Sequence, residues 1–535
     1  MTYNNEVLHK TSAEVNTQIS SYFDIVDNAV AMSDTNKKYV IDSQASYSPS
    51  APIHAGSFTT FIISPTSDNT ADIYNGFIKA NITINLNLNQ AIKDLSKVGG
   101  KYELCDLWVG YKDAMDAVDK YEILANGISI YTQNFGPEES FLTACGANET
   151  CKRADVFSKV RHKDIFNRKM DLARCGAFVK LDTTTDVGEY TIPLKIDLRR
   201  FLPLSNIKYL PAFAGKLELK VMFGTEGLVY CPVGIPQTLK NNIADLSKFV
   251  IPDITAEFTP INEPVTMWVD ATTADTGITT LTAENRTLSV NRDYEINSCY
   301  SVIPNFGIDN DIYSSLVQRY TNQELIFPTQ ILTFSPMSKQ LQQGNCSTTQ
   351  TITPRFIDSI FFLFPLKSTH HTVFKNPLFN SFQLRCGGYG AVPTIPLRTD
   401  GTDPSFIEIC QNAMNVNADQ TGFNKEVINS LCNTKDMDVA NSLISNDRTS
   451  FFIGLPTETD NTFQQGQTSN TPITYEVIAD LKRDDSNGAG GSYYGKNNQV
   501  PPLMVTLNDI VLSIHVQPGG MPPIVEFGAF DICSR

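Results

Sequence analysis

One segment comes close to the loop with which many proteins hold phosphate groups. Residues 490–497 read Gly-Gly-Ser-Tyr-Tyr-Gly-Lys-Asn, whereas the loop pattern ends in Ser or Thr, whose hydroxyl binds Mg²⁺. Asn497 stands where that hydroxyl is needed. Pro501 and Pro502 follow where the pattern requires the start of a helix. The glycine-rich segment 484–498 is therefore predicted to be an exposed mobile loop.

The histidines, including His515 beside Ser513, offer little catalytic chemistry. His370 and His371 are neighbours, and neighbours on a strand point to opposite faces, so they do not form a pair of metal ligands. Ser513 and His515 share one strand face, but the sequence has no Gly-x-Ser-x-Gly motif. Both features are interpreted as ordinary surface of strands.

Two pairs of neighbouring acids could suggest the carboxylates of a glycosidase. They are Glu138-Glu139 and Asp484-Asp485. A glycosidase needs its two carboxylates on opposite sides of a sugar, which neighbours in sequence do not provide. We interpret them as solvated loop charges or as acids at the positive end of a helix dipole. No catalytic, cofactor-binding or metal-binding residue is predicted.

The charge balance disfavours extensive contact with nucleic acid. The 535 residues carry a net charge of −15, and nucleic-acid binding draws its affinity from Lys and Arg. One basic run, Lys152 to Lys169, is the exception. We interpret it as a solvated helix face.

Cysteine usage and the N-terminal residues predict a soluble intracellular product. The eleven cysteines include no Cys-x-x-Cys pair, which indicates reduced thiols rather than a disulfide framework. The first residues have neither the basic nor the apolar region of a secretory signal. The longest apolar stretch, Ile360 to Leu366, is too short to cross a bilayer. The four Asn-x-Ser/Thr sequons are expected to remain unused.

Alternating apolar and polar residues predict strands in both halves of the chain. The segment 77–88 alternates most regularly, and Asn126-Gly127 predicts a type I′ hairpin turn between two short strands. The segment 356–364 is almost entirely apolar and therefore predicts a strand buried on both faces. Further alternation occurs at 192–198, 217–223 and 510–516.

Helices are predicted only as inserts in long loops. Apolar residues at helical spacing lie at 312–320 and 423–431, and a third candidate lies between Glu138 and Leu172. The fold class is therefore all-β. Prolines between residues 239 and 264 suggest a boundary there. We predict two domains, residues 1–245 and 246–535, each large enough for an eight-stranded sandwich.

One motif resembles a known family. An Ile-Pro-Leu strand at 192–194 is followed by Phe-Leu-Pro-Leu at 201–204 and by the alternating strand at 217–223. This order resembles the late strands of the first barrel in double jelly-roll major capsid proteins, in particular the Polinton (Maverick) and virophage-like group. The close likeness covers about thirty-five residues, and the second half has no equally sharp motif.

The resemblance implies two tandem jelly-roll barrels standing perpendicular to a capsid surface. It implies a virion protein, assembled inside the host cell, whose homotrimers form pseudo-hexameric capsomers of an icosahedral shell. Its partners would be itself, neighbouring capsomers, penton and minor capsid proteins, with no membrane-spanning segment and limited genome contact. As the alternative to a solvated helix face, the basic run Lys152 to Lys169 would then face the lumen of the shell or a minor shell protein. No catalysis is expected.

Two other classes of protein remain as alternatives. An all-β carbohydrate-binding protein or glycoside hydrolase would need exposed aromatic platforms and export. The two tryptophans, Trp108 and Trp268, and the absence of a signal sequence count against it. A fibre or adhesin subunit would show repeated modules, which the sequence lacks.

Overall fold

A computed structural model gives the fold. It describes residue 26 and residues 39–44, 53–54, 56–65, 69–87, 107–109, 114–146, 177–179, 187–225, 229–232, 258–260, 264–270, 281–287, 294–308, 310–322, 324–365, 374, 376–388, 390–399, 405–414, 451–457, 466–481, 500–516 and 523–528.

Strands dominate the described residues. They are β1 (Tyr39–Gln44), β2 (Ile53–His54), β3 (Phe58–Ile63), β4 (Asn69–Asp72), β5 (Phe77–Asn87), β6 (Leu107–Val109), β7 (Val118–Ala125), β8 (Ile128–Gln133), β9 (Ala177–Val179), β10 (Val187–Asp197), β11 (Tyr209–Pro211), β12 (Leu217–Phe223), β13 (Val229–Pro232), β14 (Phe258–Pro260), β15 (Pro264–Asp270), β16 (Leu281–Thr287), β17 (Tyr294–Gly307), β18 (Leu325–Pro336), β19 (Gly344–Ile352), β20 (Ile357–Leu363), β21 (Phe379–Cys386), β22 (Ala391–Leu397), β23 (Phe452–Pro456), β24 (Ile473–Leu481), β25 (Leu503–His515) and β26 (Ile524–Gly528).

Helices are short and lie between strands. The α-helices are α1 (Gly136–Gly146), α2 (Asn310–Asn322) and α3 (Ser405–Ala413). The 3₁₀ helices are η1 (Ala114–Ala117), η2 (Leu198–Arg200), η3 (Leu202–Leu204) and η4 (Ala212–Ala214). The helix predicted from residues 312–320 is confirmed as α2, and α1 contains the start of the third candidate; the candidate at 423–431 lies outside the described residues.

The second half of the chain forms a jelly roll. Its two sheets have the strand orders β18-β25-β20-β23 and β19-β24-β21-β22, with every pair antiparallel. The pairs β18·β25, β19·β24, β20·β23 and β21·β22 nest inside one another, as in a long hairpin. That hairpin is rolled up so that β25 also pairs with β20 and β24 with β21. Eight strands in this order make a jelly-roll sandwich.

The first half repeats the same order. The nested pairs are β1 and β2 with β17, β3 with β12, β5 with β10, and β7 with β8. As in the second half, the eighth strand also pairs with the third (β17·β5) and the seventh with the fourth (β12·β7). The all-β prediction of two tandem jelly-roll barrels is therefore confirmed.

The strand β17 bears on where the first barrel ends. It lies beyond the expected domain limit at residue 245, yet it pairs with β5 over residues 294–302 and supplies buried Ile296 and Ile303 to the first core. The strand pairing therefore continues the first barrel to residue 307. The proline-rich stretch that suggested a boundary lies inside the connection between the seventh and eighth strands.

A small additional sheet is built from the connections of the first barrel. Its strand order is β14-β13-β6-β9. β6 lies between the third and fourth barrel strands, β9 between the fifth and sixth, and β13 and β14 between the seventh and eighth. Successive strands run in opposite directions, so these alternate connections leave the same end of the barrel.

Local sequence signals explain the individual strands. In β5, Ile78, Ala80 and Ile82 are buried and Lys79 is exposed, as the alternation predicts. Asn126 and Gly127 have φ angles of 51° and 84°, the two positive values of a type I′ turn. The predicted hairpin of β7 and β8 is thus confirmed.

The fully buried strand predicted at 356–364 is confirmed as β20, whose seven residues are all buried. On one face the ring of Phe362 contacts Phe382 of the opposite sheet, at a centroid distance of 5.4 Å. The other face packs under α3. Gly454 lies on the neighbouring strand β23. A Cβ atom added to it would lie 2.9 Å from the Cβ of Ala413 on α3 and 3.1 Å from the ring of Phe361 on β20. Glycine is therefore required where α3 meets the sheet.

No helix among the described residues is long and apolar enough to cross a membrane.

Candidate functional site

The two barrels meet in a buried junction, which is the candidate functional site of the chain. The first apolar core contains residues of the second barrel, namely Leu325, Phe327, Leu512, Ile514 and Val525. The second core in turn contains Phe141, Leu142 and Leu202 of the first barrel. Each barrel thus completes the other's apolar core, and burial of this size favours one fixed arrangement of the two.

Helix α1 carries the first barrel's aromatic contact with the second. The ring centroid of Phe141 lies 4.6 Å from that of Phe374 and 6.2 Å from that of Phe452. Just before the helix, Phe135 stacks on Phe334 at 5.0 Å. A Cβ atom at Gly136 would lie 2.0 Å from the carbonyl oxygen of Val118, so glycine is required at the start of the helix.

Side chains also donate hydrogen bonds to backbone carbonyls across the junction. From the first barrel, Gln133 donates to Leu332 at 3.0 Å and Asn126 donates to Pro523 at 2.9 Å. From the second, the Thr329 hydroxyl donates to Pro203 at 3.0 Å. Such bonds require a specific geometry, and each contributes about 1 kcal/mol. They fix the register of the two barrels in a way that apolar contact does not.

A buried carboxyl group stands at the centre of the junction. Glu139 is fully buried and accepts hydrogen bonds from the Tyr121 hydroxyl at 2.8 Å and from the backbone N–H of Leu202 at 3.2 Å. Burial raises the pKa of Glu139 to about 7, although the bonds from Tyr121 and Leu202 and the charge of Arg200 lower it. This carboxyl group therefore changes between its protonated and its ionised form near neutral pH.

The neighbouring acid Glu138 is buried as well. Burial, together with the charges of Asp119 and Asp116, raises its pKa to about 8. The carboxylate of Asp116 also accepts a hydrogen bond from Ser140 at 2.6 Å. The pair does lie in the first turn of a helix, but the expectation of solvated charges is wrong. α1 is pressed between η1 and the second barrel, and this contact removes water from both carboxyl groups.

A second buried acid cluster lies inside the second barrel. The amide of Gln330 donates to Asp358 at 2.7 Å and to Asp509 at 2.9 Å. These residues lie on β18, β20 and β25, and all are buried. Gln330 follows Thr329, which points to the first barrel, so the amide points inward. One amide thus links three strands.

Sequence reasoning missed both clusters, although one signal was present. Asp358 is a charged residue within the apolar segment 356–364, and a carboxyl group on a strand buried on both faces must have a hydrogen-bond partner. The partner itself, on another strand, could not be inferred because strand order was unknown.

The other candidate residues are not brought together. His515 contacts Glu324 at 3.0 Å and is exposed, while Ser513 is partly buried on the same strand. Four earlier candidates lie outside the described residues: His370-His371, Asp484-Asp485, the loop 490–497 and the basic run 152–169. Within the described part of the chain, no group of three or more His, Cys, Asp or Glu could hold a metal ion.

The resemblance motif lies at this junction. Its residues 192–223 form β10, η2, η3, β11, η4 and β12, so the prediction that it spans late strands of the first barrel is confirmed. The Phe-Leu-Pro-Leu turn, 201–204, supplies Leu202 to the second core and receives the hydrogen bond from Thr329. The turn of the motif is therefore one of the parts of the first barrel that contact the second, together with α1 and β8.

No protein-family profile matches the sequence, and no curated protein matches it. Solved structures do align with most of the chain. PBCV-1 VP54, fitted into a cryo-EM reconstruction of the virophage Sputnik, is 9% identical, with a TM-score of 0.45 over 92% of this chain and 97% of that one. The mavirus major capsid protein is 9% identical, with a TM-score of 0.44 over 92% and 90%. The Faustovirus major capsid protein is 7% identical, with a TM-score of 0.40 over 94% and 98%.

Proposed function

We propose that this chain is a major capsid protein, a structural subunit that forms trimers of pseudo-hexameric outline in an icosahedral viral shell. The observation that carries the proposal is the double occurrence of the jelly-roll strand order in one chain, with the two barrels fixed to each other. Three such chains place six similar barrels in a ring. A closed shell needs rigid tiles with repeated contacts, and heterologous contacts of this kind close into rings.

The buried junction supports a role as a tile. The apolar core of each barrel contains side chains of the other, and hydrogen bonds between the barrels set their register. The two barrels therefore form one rigid unit. The Phe-Leu-Pro-Leu turn of the capsid-like motif supplies part of the first-barrel side of that junction. The barrel division is proposed at α2, between β17 and β18, in place of residue 245, because β17 closes the first barrel.

Further parts of the proposal concern orientation and partners. The small sheet β14-β13-β6-β9 is assigned to an outer tower above the first barrel, because three connections from one barrel end build it. The protein is placed in the virion shell and assembled in the host cell, with penton and minor capsid proteins as neighbours. No catalytic role is assigned.

A carbohydrate-active function has less support. Its carboxylates would have to flank an open cleft, whereas Glu139, Asp358 and Asp509 are all buried and hydrogen-bonded within the protein. We therefore do not favour a glycoside hydrolase.

The proposal is tested by the oligomeric state of the purified chain. Analytical ultracentrifugation across a wide concentration range, with negative-stain imaging of the same samples, should show trimers of hexagonal outline. A compact monomer at every concentration would contradict the capsid function.

A further inference from the structure

Each barrel has an equivalent edge strand, but the surroundings of the two edge strands differ. The fourth and fifth strands form a hairpin at the sheet edge in each barrel: β7 and β8 in the first, β21 and β22 in the second. Both edge strands end in a buried residue, Gln133 and Leu397, which pairs with a fully buried aromatic residue on the neighbouring strand. The two edges are therefore equivalent positions of one fold.

The edge of the first barrel is covered by the second barrel. Ile130 and Tyr131 of β8 pack against the core cluster that includes Leu512 and Ile514. The adjacent turn donates from Asn126 to Pro523. The strand β26, which pairs with β25, contacts β8 directly. Leu332 of β18, the first strand, accepts the bond from Gln133.

At the edge of the second barrel, two large aliphatic side chains are exposed. Ile395, two residues before the buried end of β22, is 78% exposed, whereas Tyr131 at the matching position of β8 is partly buried. Val392 on the same strand is 48% exposed. Large aliphatic side chains on an edge strand form an adhesive surface unless a partner covers them.

We propose that this edge, defined by Val392 and Ile395 of β22, binds a second copy of this chain. The occupant is inferred from the equivalent edge of the first barrel, which contacts the sheet that contains the first and eighth strands of the barrel that follows it. In a second copy those strands of the first barrel are β1, β2 and β17. The inference rests on the proposed self-assembly and adds the surface through which it occurs.

The geometry of this contact is directional. The edge of one barrel contacts the sheet that contains the first and eighth strands of the next barrel. The contact within the chain and the contact between chains therefore relate neighbouring barrels by the same rotation. A repeated heterologous step leads to a closed ring when its rotation divides the circle. The edge strand β22 of one copy thus contacts the first barrel of the next copy, and the contact has one direction.

Charge substitution at the edge tests the inference. Ile395→Asp places a carboxylate in the proposed contact, and sedimentation velocity of the full chain should show association weakened at least about tenfold. Ile128→Asp is the matched control: Ile128 is 70% exposed on the edge strand of the first barrel, at its turn end, and should leave association unchanged. Melting temperatures like that of the wild type show that both variants are folded.

The outcomes separate the inference from the function on which it rests. If the wild type and Ile395→Asp assemble equally well, the edge is not the contact, while the capsid function stands. If the wild type does not assemble at all, the proposed function fails and the inference with it.

A photo-cross-link identifies the occupant directly, and it does not depend on how Ile395→Asp folds. p-Benzoylphenylalanine at position 395, in a mixture of ¹⁴N- and ¹⁵N-labelled chains, should give mixed-isotope cross-links to Tyr39–Gln44 or Tyr294–Gly307. Cross-links confined to one chain, or to another part of the second copy, would overturn the inference.

Discussion

Replacing Glu139 with glutamine should make the folded chain less sensitive to rising pH. The pKa of this carboxyl group is about 7 in the folded protein and 4.5 in the ordinary case, so the folded state holds a proton that the unfolded state releases. Stability from this group is therefore fully present below about pH 4.5 and is lost as pH rises through about 7. At about 1.4 kcal/mol per pH unit, the loss is about 3 kcal/mol.

Glutamine keeps the shape and the acceptor oxygen of the protonated acid but does not ionise. Glu139→Gln should therefore match the wild type within about 1 kcal/mol at pH 5 and exceed it by about 3 kcal/mol at pH 8. The measurement is the free energy of unfolding from urea titrations at several pH values. A smaller pH dependence should remain in the variant, because burial also raises the pKa of Glu138 to about 8.

The control is the same substitution at Glu122, one residue from Tyr121 on β7. The hydrogen bond from Ser129 and the charge of Lys220 lower the pKa of Glu122, so its titration lies below the tested range. Glu122→Gln should keep the wild-type loss between pH 5 and pH 8. If Glu139→Gln loses as much stability as the wild type over that range, Glu139 does not titrate near neutral pH and the reasoning fails.

Three further substitutions test other contacts. Gly454→Val forces a side chain into the contact between α3 and the sheet and should cost about 1 to 3 kcal/mol; an unchanged melting temperature would contradict it. Asn126→Asp removes the hydrogen bond that the amide donates to the carbonyl of Pro523, which should lower the free energy of unfolding by about 1 kcal/mol. Hydrogen exchange should become faster in residues 523–528 and stay unchanged in β20, which is the internal reference. Gln330→Leu leaves two buried carboxylates without their shared amide and should cost about 3 kcal/mol or more in urea titrations; a loss under 1 kcal/mol would argue against that bridge.

Local pattern predicted the strands well and their partners poorly. Alternation in β5 and the Asn-Gly turn are properties of adjacent residues, so the sequence carries them directly. The pairing of β17 with β5 joins residues about two hundred positions apart, and alternation does not name a partner. The prolines between residues 239 and 264 therefore suggested a boundary, although β17, which follows them in the sequence, pairs with β5.

The same limit applies to the junction. Glu138 and Glu139 fit a solvated helix start by every local criterion, because acids in a first turn are favourable in water. Their burial arises from the packing of α1 against η1 and the second barrel. The charged residue within β20 was visible in the sequence, and its amide partner on β18 was not.

The nested strand order has a consequence for synthesis on the ribosome. The first barrel lacks its eighth strand until residue 307 has emerged, about eighty-five residues after the end of its seventh strand. Its apolar core is completed only when Leu512, Ile514 and Val525 of the second barrel pack against it. A nascent chain stopped before these residues presents uncovered apolar surface, which favours misassembly. The two barrels therefore complete their shared apolar core only after residue 525 has been synthesised.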